Sequence, residues 1–74
     1  MIMLNSIEDV KNFVNIASSK DYEIDLNSGK YTVDAKSIMG IFSLDLTKPL
    51  KVTIQSDDEN FLKEIEPYIY TKTK

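Results

Sequence analysis

The chain contains no cysteine, no histidine, no tryptophan and no arginine, and it has only two glycines and two prolines. Without cysteine there is neither a disulfide framework nor a thiolate metal site, and without histidine the commonest remaining metal ligand is also gone. Stability therefore has to come from burial of apolar side chains. The nine basic residues are all lysine, set against twelve aspartates and glutamates, for a formal net charge of −3. A nucleic-acid binder needs a basic patch to neutralise phosphates and usually arginine for bidentate base reading. Direct DNA or RNA binding is not expected.

Long apolar runs are scarce too. Met1-Ile2-Met3-Leu4 is cut off by Asn5, Ser6 and Glu8, far short of a signal-peptide core or a membrane span. Neither secretion nor membrane association is expected, which leaves the cytoplasm. With 74 residues the chain has room for one core, so residues 1–74 read as a single domain.

What the sequence does have is periodicity. Ile2 and Leu4 alternate with Met1, Met3 and Asn5, as in a short first strand. Ser6 stands as a helix N-cap, with Glu8 and Asp9 in the first turn where the helix dipole favours acids. Ile7, Val10, Phe13, Val14 and Ala17 follow at helical spacing, a stripe fit to cover a sheet. Tyr22-Glu23-Ile24-Asp25-Leu26 then alternates strictly, and Asn27-Ser28-Gly29 turns the chain into Tyr31 and Val33, predicting a hairpin. A second helix is predicted from Ser37 to about Leu46, ended by Thr47-Lys48-Pro49, before Leu50, Val52 and Ile54 alternate as a fourth strand. Ser56-Asp57-Asp58-Glu59 has the form of a capping box for a last helix carrying Phe61, Leu62 and Ile65, which Pro67 ends or kinks. Tyr68-Ile69-Tyr70 is left as a packing tail. Strands with one polar face, interleaved with helices, imply an α+β fold of two layers.

One stretch carries a resemblance. Lys36-Ser37-Ile38-Met39-Gly40-Ile41-Phe42-Ser43-Leu44 is similar to the regulatory-serine motif of the HPr family of phosphocarrier proteins of the sugar phosphotransferase system. Ala17-Ser18-Ser19-Lys20, Asn27-Ser28-Gly29-Lys30 and Val52-Thr53-Ile54 fall in that family's order and approximate spacing, so the resemblance spans about residues 7–66. It implies an HPr-like open-faced sandwich, βαββαβα, in which a four-stranded antiparallel sheet of order 1-4-2-3 carries three helices on one face.

The other functional segment of the family, a Gly-Ile/Leu-His-Ala-Arg-Pro run leading into the first helix, is missing. Counting back from Ala17 without gaps, Ser6 falls at the family's histidine position and Glu8 at its arginine position. A serine phosphate ester is a poor phosphoryl donor, so Ser6 is no substitute carrier. Glu8 and Asp9 also place about four times the half charge of a helix end, with opposite sign, where a phosphoryl group would sit. Phosphohistidine chemistry is excluded, and no catalytic residue, cofactor or metal is expected.

Ser37 can be a helix cap and nothing more, as serine often is. In the family the matching serine is modified by a dedicated kinase, and Lys36 stands beside it. At about 100° per residue Ile38, Met39 and Phe42 cluster on one side of the second helix, away from Ile41 and Leu44. By resemblance Ile41 and Leu44 are the buried pair. Ile38, Met39 and Phe42 then form an exposed patch for a partner, unless the chain's own tail or a second copy covers it. Asp21, Glu23, Asp25 and Asp34 read as a solvated sheet face, and Asp57, Asp58 and Glu59 lack the spacing of a calcium loop. The tyrosines Tyr22, Tyr31, Tyr68 and Tyr70 read as core or rim.

The implied function is that of a non-catalytic HPr-like regulatory or adaptor protein. It would bind a protein partner, such as a kinase or transcriptional regulator, through Lys36, Ile38, Met39 and Phe42, under control of Ser37 phosphorylation. The alternatives are a phosphocarrier using another residue and a structural, dimerising relic, with monomer and homodimer both open.

Overall fold

In the computed structural model, which describes residues 1–70, Ser6 takes extended backbone angles and its Oγ accepts the Asp9 N–H at 3.1 Å, opening helix α1 (Ile7–Ser18). Val10, Phe13 and Ala17 recur every three or four residues and are fully buried. Ile7 departs from the expected stripe. It occupies the first helical position, ahead of the core-facing turns, and is 66% exposed.

Strands β1 (Ile24–Ser28) and β2 (Tyr31–Asp34) form the predicted hairpin. Gly29, at φ +60°, takes the first loop position, where a tight hairpin turn requires positive φ that only glycine adopts without strain. Strand β3 (Lys51–Ile54) pairs antiparallel with β1 on its other side, giving the order β2-β1-β3. The register sets Leu26 between Val33 and Val52, and Ile24 beside Ile54, on one face. Asp25 lies between Asp34 and Thr53, and Asn27 between Thr32 and Lys51, on the other. The expected solvated face is therefore present, carrying two of the four acids assigned to it.

Among the described residues the sheet has three strands, not the four expected. Asn5 and the Ser6 cap claim the chain too early for the N-terminal segment to extend as a strand. It contributes single bridges instead: Ile2 pairs antiparallel with Leu50 on one side and with Ile69 on the other. The alternation read there survives, since Ile2 and Leu4 are 1% and 2% exposed.

Helix α2 (Ile38–Phe42) is half the expected length. Ser43 Oγ turns back to donate to the Gly40 carbonyl, and the Asp45 carboxylate accepts the Thr47 N–H at 3.0 Å and the Thr47 hydroxyl, closing a turn that competes with further helix. Helix α3 (Glu59–Glu64) begins at Asp58, whose carboxylate accepts the Asn60 N–H at 2.9 Å, and not at Ser56. Of its expected stripe Phe61 and Ile65 are buried, whereas Leu62 is 51% exposed. Pro67 lies in a short 3-10 turn, Glu66–Tyr68, after which the chain runs back beside its own start. There Met3 N–H donates to the Tyr68 carbonyl and Tyr70 N–H to that of Met1, each at 2.8 Å.

The core lies between the sheet and the helices. Four aromatic rings link its parts edge to face: Tyr68 to Phe13 at 6.4 Å, Phe13 to Phe61 at 6.3 Å, and Phe61 to Tyr22 at 6.4 Å between centroids. Such pairs add about 0.5–1.5 kcal/mol each beyond their burial. Among the described residues no polar or charged side chain is fully buried, and no helix is long and apolar enough to cross a membrane.

Candidate functional site

Ser37 is exposed at the N-cap of α2, and its Oγ accepts the Gly40 N–H at 3.3 Å. Gly40 is held close on two sides. A Cβ there would lie 3.4 Å from both Ser37 Oγ and Val33 Cβ, so glycine lets the helix settle against β2. Ile41 is fully buried and Leu44 is 9% exposed, which makes them the inward pair as expected.

Outward, Met39 is 76% and Phe42 40% exposed. Ile38 is not fully part of this patch: it is half-buried and packs against the core. Lys36 is turned away as well. Its Nζ donates to the Lys20 carbonyl beyond the end of α1 at 2.9 Å. The backbone around the serine is fixed by Asp34, whose carbonyl accepts Ser37 N–H at 3.0 Å and whose carboxylate accepts Lys36 N–H at 2.8 Å.

A mostly apolar groove of about 410 Å³ continues from Phe42 toward the start of α1. Its walls are Met3, Leu4 and Ile7 on one bank and Phe42 and Leu46 on the other, with Asn5, Ser6 and Thr47 at the edge. Thus Ser6, the residue counted into the histidine position, and Phe42 share one depression. The sequence reading missed Ile7 and Leu46 as surface-forming residues. Ile7's place at the first helical position was the available signal, because a residue there precedes the turns that the sheet covers.

The geometry at Ser6 is that of a closed cap. Ser6 Oγ is engaged by Asp9 N–H, and Asp9 Oδ2 in turn accepts the Asn5 N–H at 3.1 Å. The carboxylate thus occupies an amide that an incoming anion would use. Glu8 stands exposed beside it. Among the described residues no group of three or more metal-ligating side chains converges.

A second polar cluster ties α1 to α3. Lys20 Nζ lies 3.0 Å from Glu64 Oε2 and 3.8 Å from Asp58, and Tyr22 Oη donates to Asp58 Oδ2 at 2.9 Å. Burial, then the hydrogen bond to Asp58, pushes the Tyr22 phenol up to about 12. The same hydrogen bond holds the Asp58 carboxyl below its usual range. Nothing in this cluster adjoins the groove, and its partners satisfy one another as structural ties do.

The family model for the HPr component of the phosphotransferase system, described by its phosphorylation site, matches residues 9–70. The chain belongs to the HPr family. Among solved HPr proteins it is similar to HPr-C-His from Thermoanaerobacter tengcongensis, at 29% identity over 89% of this chain and 76% of that one, with a TM-score of 0.71. An HPr dimer from the same organism is 30% identical over 86% of this chain and 76% of that one, with a TM-score of 0.68. The Bacillus subtilis catabolite-repression protein Crh, solved as an intertwined dimer with a swapped domain, shares the fold at a TM-score of 0.66, 20% identity, and coverage of 96% and 90%. No curated protein sequence matches the chain. The HPr match begins at residue 9, so Ser6 and Glu8 lie just outside it, while Ser37, Met39 and Phe42 lie within it.

Proposed function

We propose that this HPr-family protein is a non-catalytic regulatory adaptor of the cytoplasm that binds a protein partner through α2, with Ser37 as the site of regulatory phosphorylation. The observation that carries this reading is the exposure of Met39 and Phe42 beside an exposed Ser37, in a chain with no histidine to carry a phosphoryl group. Apolar side chains next to a modifiable hydroxyl give a partner both buried area and a charge to read. Lys36 donates to the Lys20 carbonyl with one of its three ammonium hydrogens, and a phosphate on Ser37, a doubly charged oxyanion, would be a stronger acceptor than that carbonyl.

A homodimer is the second reading, favoured by the two dimeric relatives of this fold. Pull-down from native cytoplasm with wild type, Ser37→Asp and Phe42→Ala tests the first reading. The adaptor reading expects a partner whose retention changes in Ser37→Asp and weakens by about 1 kcal/mol or more in Phe42→Ala, the loss of an aromatic anchor. Unchanged retention in Phe42→Ala, together with loss of thermal stability or of a dimer seen by light scattering, removes the adaptor surface from this helix.

A further inference from the structure

We propose that the outer edge of β3 takes up an extended segment of a partner protein as a further strand, whose apolar side chains at alternate positions fill the groove beside that edge. The site is separate from Ser37 and α2, which rests against β2 at the opposite edge of the sheet.

Along β3 the backbone groups of successive residues point to opposite sides. Gln55 N–H donates to the Glu23 carbonyl at 3.0 Å, so Thr53 and Lys51 face β1 as Gln55 does. On the other side Leu50 and Ile2 each donate an N–H to the other's carbonyl at 2.8 Å, so Val52 and Ile54 face outward as Leu50 does. The antiparallel Ile2–Leu50 bridge brings Met1 level with Lys51. Past that point the outward N–H and carbonyl groups of Val52 and Ile54 have no partner among the described residues. An unfilled edge of this kind is a template for pairing with another chain.

The side chains beside the edge select the strand. Val52 and Ile54 share the core face with Leu26 and Ile24, and they line a groove of about 160 Å³ with Ile2, Leu62, Ile65 and Ile69. Every residue lining it is apolar, and Leu62 and Ile69 are 51% and 44% exposed. A strand bonded to Val52 and Ile54 sets its own paired residues directly opposite them, with their side chains on the same face. Two apolar residues separated by one other therefore meet both the open ladder and the groove.

This chain's own segments do not supply such a strand. Thr71-Lys72-Thr73-Lys74 has no apolar side chain. An antiparallel second copy that brought its Val52 or Ile54 opposite Val52 would drive its next residue into the place that Met1 holds level with Lys51. Its β2 edge fails for another reason. Ala35 N–H donates to the Ile24 carbonyl, so the backbone of Val33 faces β1 and that of Thr32 and Asp34 faces out. Pairing through those two would lay polar side chains over the apolar groove.

The probe is a short end-blocked peptide in which threonine and valine alternate. In an extended chain its valine amides lie along one edge and its threonine amides along the other, and the valine edge is the one that pairs. The controls are the same peptide N-methylated on the valine amides, N-methylated on the threonine amides, and a scramble with the valines grouped. Binding to the full chain is read by fluorescence anisotropy and by amide exchange in NMR. In the free protein the N–H groups of Val52 and Ile54 should exchange at least tenfold faster than that of Thr53, and the parent peptide should slow them by a similar factor. Valine methylation and scrambling should each weaken binding tenfold or more, whereas threonine methylation should change it little. Leu62→Ala should weaken binding several-fold while leaving the melting temperature within a few degrees. Absence of binding, equal binding of the scramble, or equal loss with both methylated peptides overturns the proposal. So does protection of Val52 and Ile54 equal to that of Thr53 in the free protein, which would mean that the edge is already covered, by a second copy if light scattering shows a dimer and by the chain's own tail if it shows a monomer.

Discussion

The Tyr22 hydroxyl donates to the Asp58 carboxylate at 2.9 Å, joining the approach to β1 to the residue that caps α3. The phenol's pKa is raised to about 12, so the folded protein holds that proton more tightly than the unfolded chain, where tyrosine titrates near 10. This contribution to stability is complete below about pH 10 and is lost as pH rises toward about 12. Asp58 works in the opposite sense: its depressed pKa stabilises the fold above the unfolded carboxyl value of about 4 and is lost as pH falls through the folded value. Melting curves from pH 9 to 12 should show a decline in wild type that is shallower in Tyr22→Phe. Parallel declines would mean that the phenol is not protected by this contact.

Phosphoryl transfer should fail outright. Incubated with phosphoenolpyruvate and the general phosphotransferase enzyme, the protein should acquire no acid-labile label under conditions that charge an ordinary HPr. The reason is the absence of histidine together with the Asp9 carboxylate seated on the Asn5 amide. Acid-labile label on the intact chain would contradict this.

On α2 the two faces should separate by stability. Ile41→Ala empties a fully buried position and should cost about 2–5 kcal/mol, whereas Met39→Ala, at a position 76% exposed, should stay within about 0.5 kcal/mol. Denaturant unfolding of the two variants decides. Comparable losses would reverse the facing of the helix.

Ser6→Ala should destabilise the fold by about 1 kcal/mol, the usual worth of an N-cap, because Asp9 N–H loses its acceptor. Ser6→Asp should restore most of that loss, since aspartate caps as well as serine. A phosphoacceptor role at Ser6 would instead show as an unchanged melting temperature and a changed labelling result.

Much of the fold was legible because its periodicities belong to single elements. The spacing of Val10, Phe13 and Ala17, the alternation of Ile24 and Leu26 and the need for Gly29 in the hairpin each follow from local geometry. What was not legible depends on competition between local hydrogen bonds. Asp45 and Ser43 shorten α2 by capturing Thr47 and the Gly40 carbonyl, and Asp58 outcompetes Ser56 as the cap of α3. At the candidate site helical angles grouped Met39 with Phe42, and the family resemblance turned that side outward. The turn of Lys36 toward Lys20 and the groove joining Ile7 to Phe42 could not, because both depend on how α1 and α2 meet in space.

The double pairing of Ile2 has a consequence for how the chain folds and opens. Bonded to Leu50 on one side and paired with Ile69 on the other through the hydrogen bonds of Met1 and Met3, this residue turns nearly the whole described chain into a closed ring. The Ile2–Ile69 closure spans the largest sequence separation of any strand pairing here, so its entropic cost falls late, after the hairpin and α1 have shortened the path between the ends. The same clasp should be first to release. In amide exchange, Met3 and Tyr70 should lose protection well before Leu26 at the centre of the sheet, so the molecule breathes at the seam where its two ends meet.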